Sequence, residues 1–388
     1  MSRRTSSLVI TAALAATALA GCTSNSPSGD ASGDHAKLSV SSDARTCDVS
    51  SKEAPSGNVV FNVTNKGSQV TEFYLLGEDG LRIVGEVENI APGLTRDLVV
   101  KAAPGKYFTA CKPGMVGQGI RSAFTVTDSG ADLEPSGDDK VLAQNASTGY
   151  ASYVKDQTEQ LLTKTGSFVS LYKAGKDDQA RALYADARRH WERVEPVAES
   201  FGDLDPKMDL READLEPKQK WTGWHRIEKD LWPPKTGYTR LTPAQRATVA
   251  DQLLTDTRTL YNRTRTTTFT ADQIANGSKE LLGEVATGKV TGEEEIWSHT
   301  DLWDFQANVD GARVGFENLR PIVQRKDKTL DTSIATKFTA LQKLLDQHKK
   351  GDGFVLYTEL TPAQVKELAS GVNALSEPLS KLTSTVTL

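Results

Sequence analysis

Three stretches of the chain place carboxylates and imidazole at spacings that suit a metal ion. The first is His225-Arg-Ile-Glu228, inside Trp221-Thr-Gly-Trp-His-Arg-Ile-Glu-Lys-Asp-Leu-Trp232. Residues three apart share a helix face, so this imidazole and carboxylate can reach one ion. The second is His190-Trp-Glu-Arg-Val-Glu-Pro-Val-Ala-Glu199. Here Glu192, Glu195 and Glu199 fall on one face, and Pro196 would clash with the Glu192 carbonyl and bend the helix. Asp203, Asp205 and Asp209 follow in a loop-like stretch. The third is Glu293-Glu-Glu-Ile-Trp-Ser-His-Thr-Asp-Leu-Trp-Asp304. Each stretch alone fits a solvated acidic helix face. Three of them, each mixed with tryptophans, fit a partly buried acidic site, and buried carboxylates require a cation or a proton.

Several carboxylates with at most one imidazole make a hard oxygen site. Such a site suits Fe(III), Mn or Ca better than Cu(I), although zinc can occupy it by raw affinity. The His-Glu-x-x-His pattern of zinc peptidases is absent. Its inverted form is absent too, because Lys229 follows Glu228. A Glu-rich site can still activate water, so hydrolysis stands as a rival chemistry.

These stretches belong to a helical region. From about Gly149 the period is helical, with Tyr150, Val154, Leu161, Thr165, Phe168 and Tyr172 recurring three, four or seven apart. Thr242-Pro-Ala-Gln245 and Thr361-Pro-Ala-Gln364 read as capped helix starts, and Thr270-Ala-Asp-Gln273 as a third without the proline. No strand pattern interrupts this half, so an all-helical bundle is expected. Tyr238-Thr-Arg-Leu-Thr-Pro-Ala-Gln245 matches Tyr357-Thr-Glu-Leu-Thr-Pro-Ala-Gln364 at seven of eight positions. With the weaker echo of Arg193–Val197 in Asn318–Ile322, this fits a duplicated bundle in which Arg320 replaces Glu195. Chance reuse of a good helix start is the alternative.

From Leu38 to Thr127 short alternating runs are punctuated by Gly and Pro, which predicts an antiparallel β-sandwich. The polar stretch after it reads as a linker. The expected layout is a leader over 1–21, a tether over 22–37, a β-domain over 38–127, a linker over 128–146 and a helical domain over 147–388. The β-domain has no histidine between Leu38 and Thr127, so it cannot build a blue-copper site, which needs two.

The leader begins Met1-Ser2-Arg3-Arg4, continues apolar from Leu8 to Ala20 apart from Thr11 and Thr17, and ends Leu19-Ala20-Gly21-Cys22. This is a secretory signal with the lipobox of bacterial lipoproteins, so Cys22 is expected to carry a lipid and begin the mature chain. An ordinary secretion signal with an incidental Cys22 is the alternative, and Arg3-Arg4 leaves Sec and Tat export both open. The apolar stretch is too short to be a permanent span. Fifteen residues of Ser, Gly, Asp and Pro-rich tether give a reach of about 20 Å. Removing Arg3 and Arg4 with the leader takes the formal net charge from −5 to −7. An acidic exported chain without a basic run excludes nucleic acid as a partner.

Trp191 to Pro206, Trp221 to Glu228 and Ser298 to Val309 resemble the EfeO family of extracytoplasmic iron-uptake proteins, over nearly the whole mature chain. The resemblance implies an N-terminal cupredoxin-like β-sandwich and an imelysin-like (peptidase-named) all-α domain of two four-helix bundles. It implies a ferric permease and a haem peroxidase of the same uptake system as partners, and an anchored position on the outer face of the cytoplasmic membrane. It maps metal ligands onto Glu192, Glu195, Asp209, His225 and Glu228. One further ligand falls in Glu293-Glu-Glu295, with Glu294 favoured. His225 and Glu228 are either direct ligands or groups that orient them. In the β-domain the family pattern makes Cys47, Glu72 and Cys111 candidate ligands. A Cys47–Cys111 disulfide is the alternative outside the cell, with Glu72 and Glu86 free to bind a cation beside it.

The expected function is non-enzymatic: a lipid-anchored protein that binds ferric iron, without organic cofactor, and passes it to the permease. Zn2+ or Cu2+ is expected to bind in vitro. The rivals are a metallopeptidase and a polysaccharide-binding module bridged by metal, in which the tryptophans stack on sugar rings.

Overall fold

Apolar alternation in the N-terminal third produces nine strands. These are β1 (His35–Ser42), β2 (Cys47–Val49), β3 (Glu53–Pro55), β4 (Gly57–Asn65), β5 (Thr71–Leu76), β6 (Ile83–Ile90), β7 (Thr95–Ala102), β8 (Gly105–Cys111) and β9 (Ile120–Thr127). The computed structural model describes residues 35–115, 117–130 and 137–387. The leader, the lipobox Cys22 and nearly all of the tether lie outside the described residues.

The strands form two sheets, ordered β2-β1-β4-β7 and β3-β9-β8-β5-β6. Val59, Phe61, Val63, Leu98 and Val100 of the first meet Phe73, Leu75, Phe124 and Val126 of the second in one apolar core. The sheets are mixed rather than purely antiparallel, because β1 pairs with β4 and β3 with β9 in parallel. The chain leaves β1 through β2, crosses to the other sheet at β3 and returns to β4, and only such a crossover permits parallel neighbours. Cys47 and Cys111 are joined in a disulfide that ties β2 of one sheet to β8 of the other, 64 residues apart. A metal-binding cysteine must be a free thiolate, so the disulfide alternative replaces the expectation that Cys47 and Cys111 are ligands. Closing a loop of this length stabilises by about 4 kcal/mol in the chain-entropy picture.

The helical region comprises α1 (Gly137–Lys173), α2 (Asp177–Glu192), α3 (Glu195–Glu199), α4 (Asp205–Met208), α5 (Trp224–Leu231), α6 (Pro243–Thr264), α7 (Ala271–Thr287), α8 (Asp301–Lys326), α9 (Lys328–Asp346), α10 (Pro362–Leu379) and α11 (Leu382–Thr387). α1 starts ten residues before the expected boundary at 147. Asp138 and Asp139 in its first turn complement the helix dipole, so a stretch that reads as polar linker is helix. The Thr242 and Thr361 side chains each accept from the backbone N–H three residues on, as capped starts require.

Two apolar cores organise these helices. One gathers Leu161, Phe168 and Tyr172 of α1 with Tyr184, Trp191, Trp224, Leu231, Leu253 and Leu260. The other gathers Tyr150 and Val154 of α1 with Leu281, Phe305, Phe316, Phe338, Leu375 and Leu382. α1, about 55 Å long at 37 residues, belongs to both. Arg320, the counterpart of Glu195 in the internal echo, sits at the protein surface and donates to Asp331 at 2.7 Å.

The β part docks on the helical part through backbone-level contacts. The Lys101 N–H donates to Asp272 Oδ2 (3.0 Å), Asn276 Nδ2 to the Val99 carbonyl (3.1 Å), and the Ile83 N–H to the Ser200 carbonyl (3.0 Å). Among the described residues, no helix is long and apolar enough to cross a membrane.

Candidate metal centre

The three sequence stretches converge where the two helical cores meet. α2 ends at Glu192, and the chain turns through Arg193 and Val194 before α3 begins with Pro196 in its first turn. Proline has no N–H to give a continuing helix, so the break expected at Pro196 is where the chain bends. The bend keeps Glu192 and Glu195 together and carries Glu199 away toward the β part. Asp209 follows α4 and accepts from Trp191 Nε1 at 2.9 Å. Gly223, at φ +90°, precedes α5, and a Cβ there would overlap the Met208 carbonyl oxygen. Only glycine permits that approach, which sets His225 beside Asp209.

His225 is fully buried. Its Nε2 lies 3.4 Å from Asp209 Oδ1 and 3.3 Å from Glu294 Oε1. Its Nδ1 lies 3.2 Å from Glu228 Oε2. The other oxygen of Glu228 accepts the Trp297 and Ser298 backbone N–H groups at 3.0 and 2.7 Å. Two ligand atoms about 2.1 Å from a common ion lie about 3.0–3.4 Å apart, so the Nε2 separations match those of groups sharing one cation. The Nδ1–Glu228–backbone chain has the form that fixes the ring of a metal-binding histidine.

Within the Glu293-Glu-Glu295 run the burial differs. Glu293 is exposed, Glu294 faces His225 Nε2, and Glu295 lies 3.8 Å from His225 Nδ1. Glu295 accepts from Tyr184 Oη (3.0 Å) and Ser298 Oγ (2.7 Å). From α8, Asn308 Nδ2 donates to Glu192 Oε2 (3.1 Å) and Glu195 Oε2 (3.3 Å). Donor atoms of Asp209, His225 and Glu294 lie within 4.8 Å of one another, and so do those of Glu192, Glu195 and Asp209.

Two cations that sequence reasoning missed sit among these acids. The guanidinium of Arg188 pairs with Glu192 (2.7 Å), Glu294 (2.9 Å), Glu295 (2.6 Å), Asp304 (3.3 Å) and Asp209. Lys289 Nζ pairs with Glu192 (3.1 Å) and Glu195 (3.0 Å). Arg188 was findable, since it stands four before Glu192 on one helix face. Glu295 and Asp304 lie in a stretch already singled out. Lys289, in a short turn after α7, carries no local signal.

The charges do not balance. Glu192, Glu195, Asp209, Glu228, Glu294, Glu295 and Asp304 are all buried against Arg188, Lys289 and His225. Even with His225 protonated and with Arg211, 3.7 Å from Glu294, counted in, three carboxylates are left over. Asp304 Oδ1 is buried without a hydrogen bond. Burial pushes Glu192, Glu195, Glu295 and Asp304 above the usual carboxylate range. Burial works upward on Asp209 and Glu294 too. Arg188 and His225 outweigh it at Asp209, and Lys289 and His225 outweigh it at Glu294, which falls to about 2. Burial and Arg188 oppose charge on His225, but its bonds to Asp209 and Glu228 raise it well above an ordinary histidine.

Not every candidate joins the centre. Glu72 is buried in β5, where Tyr74 Oη donates to it at 2.6 Å and Lys112 Nζ stands 3.8 Å away. His190 turns to Gln157, and Asp203 pairs with Arg263 near the surface.

The imelysin family, named as a peptidase, matches residues 146–382. A protein of Staphylococcus haemolyticus named as an Efem/EfeO family lipoprotein is 43% identical over 249 residues, covering 63% of this chain and 85% of its own. An Escherichia coli O157:H7 protein named as the iron uptake system component EfeO is 36% identical over 341 residues, covering 87% and 88%. A Yersinia pestis protein of the same name is 35% identical over 351 residues, covering 89% and 90%. The chain belongs to the EfeO family and carries that family's imelysin domain.

Proposed function

We propose that this chain is an extracytoplasmic, lipid-anchored iron-binding component of an iron-uptake system, which holds ferric iron as cargo and hands it to a membrane permease. The observation that carries the reading is the buried excess of carboxylates around one histidine. A hard trivalent ion satisfies such a donor set better than any softer metal. In this reading Asp209, His225 Nε2 and Glu294 hold the ion, with Glu192 and Glu195 completing its shell, and Glu228 orients His225. The names of the relatives support iron as the cargo. The permease and the haem peroxidase are the partners that the family resemblance implies, and the lipobox at Cys22 supports the anchor. The two helical cores are read as the two four-helix bundles of the family, and the paired sheets as its cupredoxin-like domain.

The chain's residues explain how such an ion is both held and released. His225 must lose a proton from Nε2 before it can coordinate, and Glu195, Glu295 and Asp304 give up protons held by burial. Arg188 grips the same oxygens the ion needs, so it competes with the ion and keeps affinity moderate. No hydrolytic role is assigned. Glu228, the glutamate nearest His225 Nδ1, is occupied by two backbone N–H groups and His225.

The test is titration of the soluble mature chain with ferric citrate. Glu192→Ala with Glu195→Ala is expected to abolish tight binding. Unchanged Fe(III) affinity in that variant refutes the assignment. Peptide cleavage that is lost in Glu228→Gln would support the peptidase reading instead.

A further inference from the structure

The metal centre is closed to water. His225 and Glu192 are 0% exposed, and Glu195, Glu294 and Asp209 keep only 5%, 6% and 7%. Donors so enclosed exchange an ion with solvent only when a neighbouring segment moves aside.

Residues 210–221 are that segment. They run from Asp209 toward Gly223 and so connect two of the candidate ligands, Asp209 and His225. Trp221 Nε1 donates to the Leu210 carbonyl at 2.7 Å, and Thr222 Oγ1 to the Lys207 carbonyl at 2.7 Å. These bonds close a neck, which makes the segment an Ω-loop whose base holds both ligands in place while the rest can move.

Arg211 is the first residue beyond the neck. Its side chain is 31% exposed, and its Nη1 stands 3.7 Å from Glu294 Oε2. Its Nε donates to Asp214 Oδ2 at 2.7 Å, across the single 3₁₀ turn Glu212–Asp214. A Cβ on Gly288 would come within 3.5 Å of both Arg211 Nη1 and Glu294 Oε2, so the three groups share one small space. Arg211 thus stands between solvent and Glu294.

Polar contacts hold the loop down. No residue from 210 to 221 is fully buried, so lifting the loop exposes little apolar surface. Lys229 of α5 donates to Glu212 Oε2 at 2.5 Å. The same ammonium lies 5.6 Å from the Trp221 ring centroid and 5.2 Å from that of Trp297, within cation–π range. The Trp221 and Trp297 rings are 5.8 Å apart.

We propose that residues 210–221 are a lid over the metal centre and that Arg211 is its latch, covering Glu294 until the loop lifts and lets the ion past. The inference rests on the reading of the centre as a metal site. Arg211 and the ion compete for Glu294, so an arriving ion loosens the latch and a departing ion leaves Glu294 to Arg211. Glu212 and Lys229 set how readily the loop lifts.

The experiment is stopped-flow mixing of the mature chain with ferric citrate, followed by tryptophan fluorescence, with excess EDTA for release. Glu212→Gln weakens a fastener that touches no candidate ligand. It should speed uptake and release alike by roughly 3–10-fold, the factor that one partly exposed charged contact contributes. Its Kd should stay unchanged. Arg211→Ala should also speed uptake, and should tighten Kd because Glu294 loses a competitor. Unchanged rates in both variants overturn the proposal. So does a Glu212→Gln release rate that rises alone with weaker binding, which would give Glu212 a purely structural role. A wild-type chain that binds no ferric iron refutes the metal reading instead, and amide hydrogen exchange of the metal-free chain then decides for the lid. Residues 210–221 should exchange faster than α5, and faster still in Glu212→Gln. Exchange at the rate of α5, or unmoved by Glu212→Gln, overturns the lid.

Discussion

The helical centre and the β part both bury carboxylates, but they treat the charge differently. In the centre, Arg188, Lys289 and His225 are built in among the acids, so the donor set is assembled by its own counter-charges. In the β part, Glu72 has Tyr74 and Lys112, whereas Glu86 has neither hydrogen bond nor ion pair among the described residues. The two parts are also secured by different means, a disulfide in one and an ion network in the other. A network that holds acids at fixed positions with a shortfall of positive charge is suited to taking up and losing a cation. A disulfide is suited to stability alone.

The comparison breaks most sharply at Arg188. Arg188→Met leaves the acids of the centre facing only Lys289, His225 and, at Glu294, Arg211. Removing one partner of a buried network costs about 3–5 kcal/mol, and five partners place this case near the upper end. Chemical denaturation of the metal-free variant should show that loss, and added metal should restore more stability than in the wild type. Next is the disulfide. Cys47→Ala with Cys111→Ala should cost about 4 kcal/mol. It should leave the Fe(III) affinity of the helical centre unchanged, and a loss of that affinity in calorimetry would mean the two parts are not separable in this way.

A smaller effect belongs to Glu228. As a group that orients His225 rather than holding the ion, Glu228→Gln should weaken metal binding about 10–100-fold, without abolishing it. Smallest is the pH dependence. Glu280 rises from 4.5 to about 7 and Asp301 from 3.8 to about 6 on folding, each chiefly by burial. Folding therefore takes up protons between about pH 4 and 7, and stability falls as pH rises through that window. His225 has the same sign: its contribution is complete below 6.5 and lost as pH passes its raised value. Glu294 acts oppositely, contributing above 4.5 and losing that contribution as pH falls toward about 2. The metal-free chain should thus melt higher at pH 5 than at pH 7.5 by scanning calorimetry, and added metal should reverse the order. A metal-free melting point that rises with pH would contradict the charge imbalance.

Much of the site was legible in the sequence because its acids lie in three short runs marked by tryptophan and histidine. Glu192, Glu195, Asp209, His225, Glu228 and Glu294 were all named there, and the structure brings them together. The cations that organise them were not read. Arg188 shares a helix face with Glu192, but nothing in the sequence marks it as buried, and Lys289 reaches the centre only because the turn after α7 folds inward. The β region was legible as short strands, but the parallel pairings were not, since alternation fixes which face a residue takes and not which strand lies beside it. Glu86 and Glu199 were each named in the sequence, but their meeting with Glu280 was not legible for a similar reason. Glu86, Glu199 and Glu280 are far apart in the chain, and only the docking of β6 against α3 and α7 makes them neighbours.

The most direct measurement is iron-edge anomalous diffraction from crystals of the mature chain loaded with ferric citrate. The expected result is an iron peak bounded by His225 Nε2, Asp209 and Glu294, with Glu192 and Glu195 at its edge. Loaded crystals whose iron lies elsewhere, with none beside His225, would contradict the assignment.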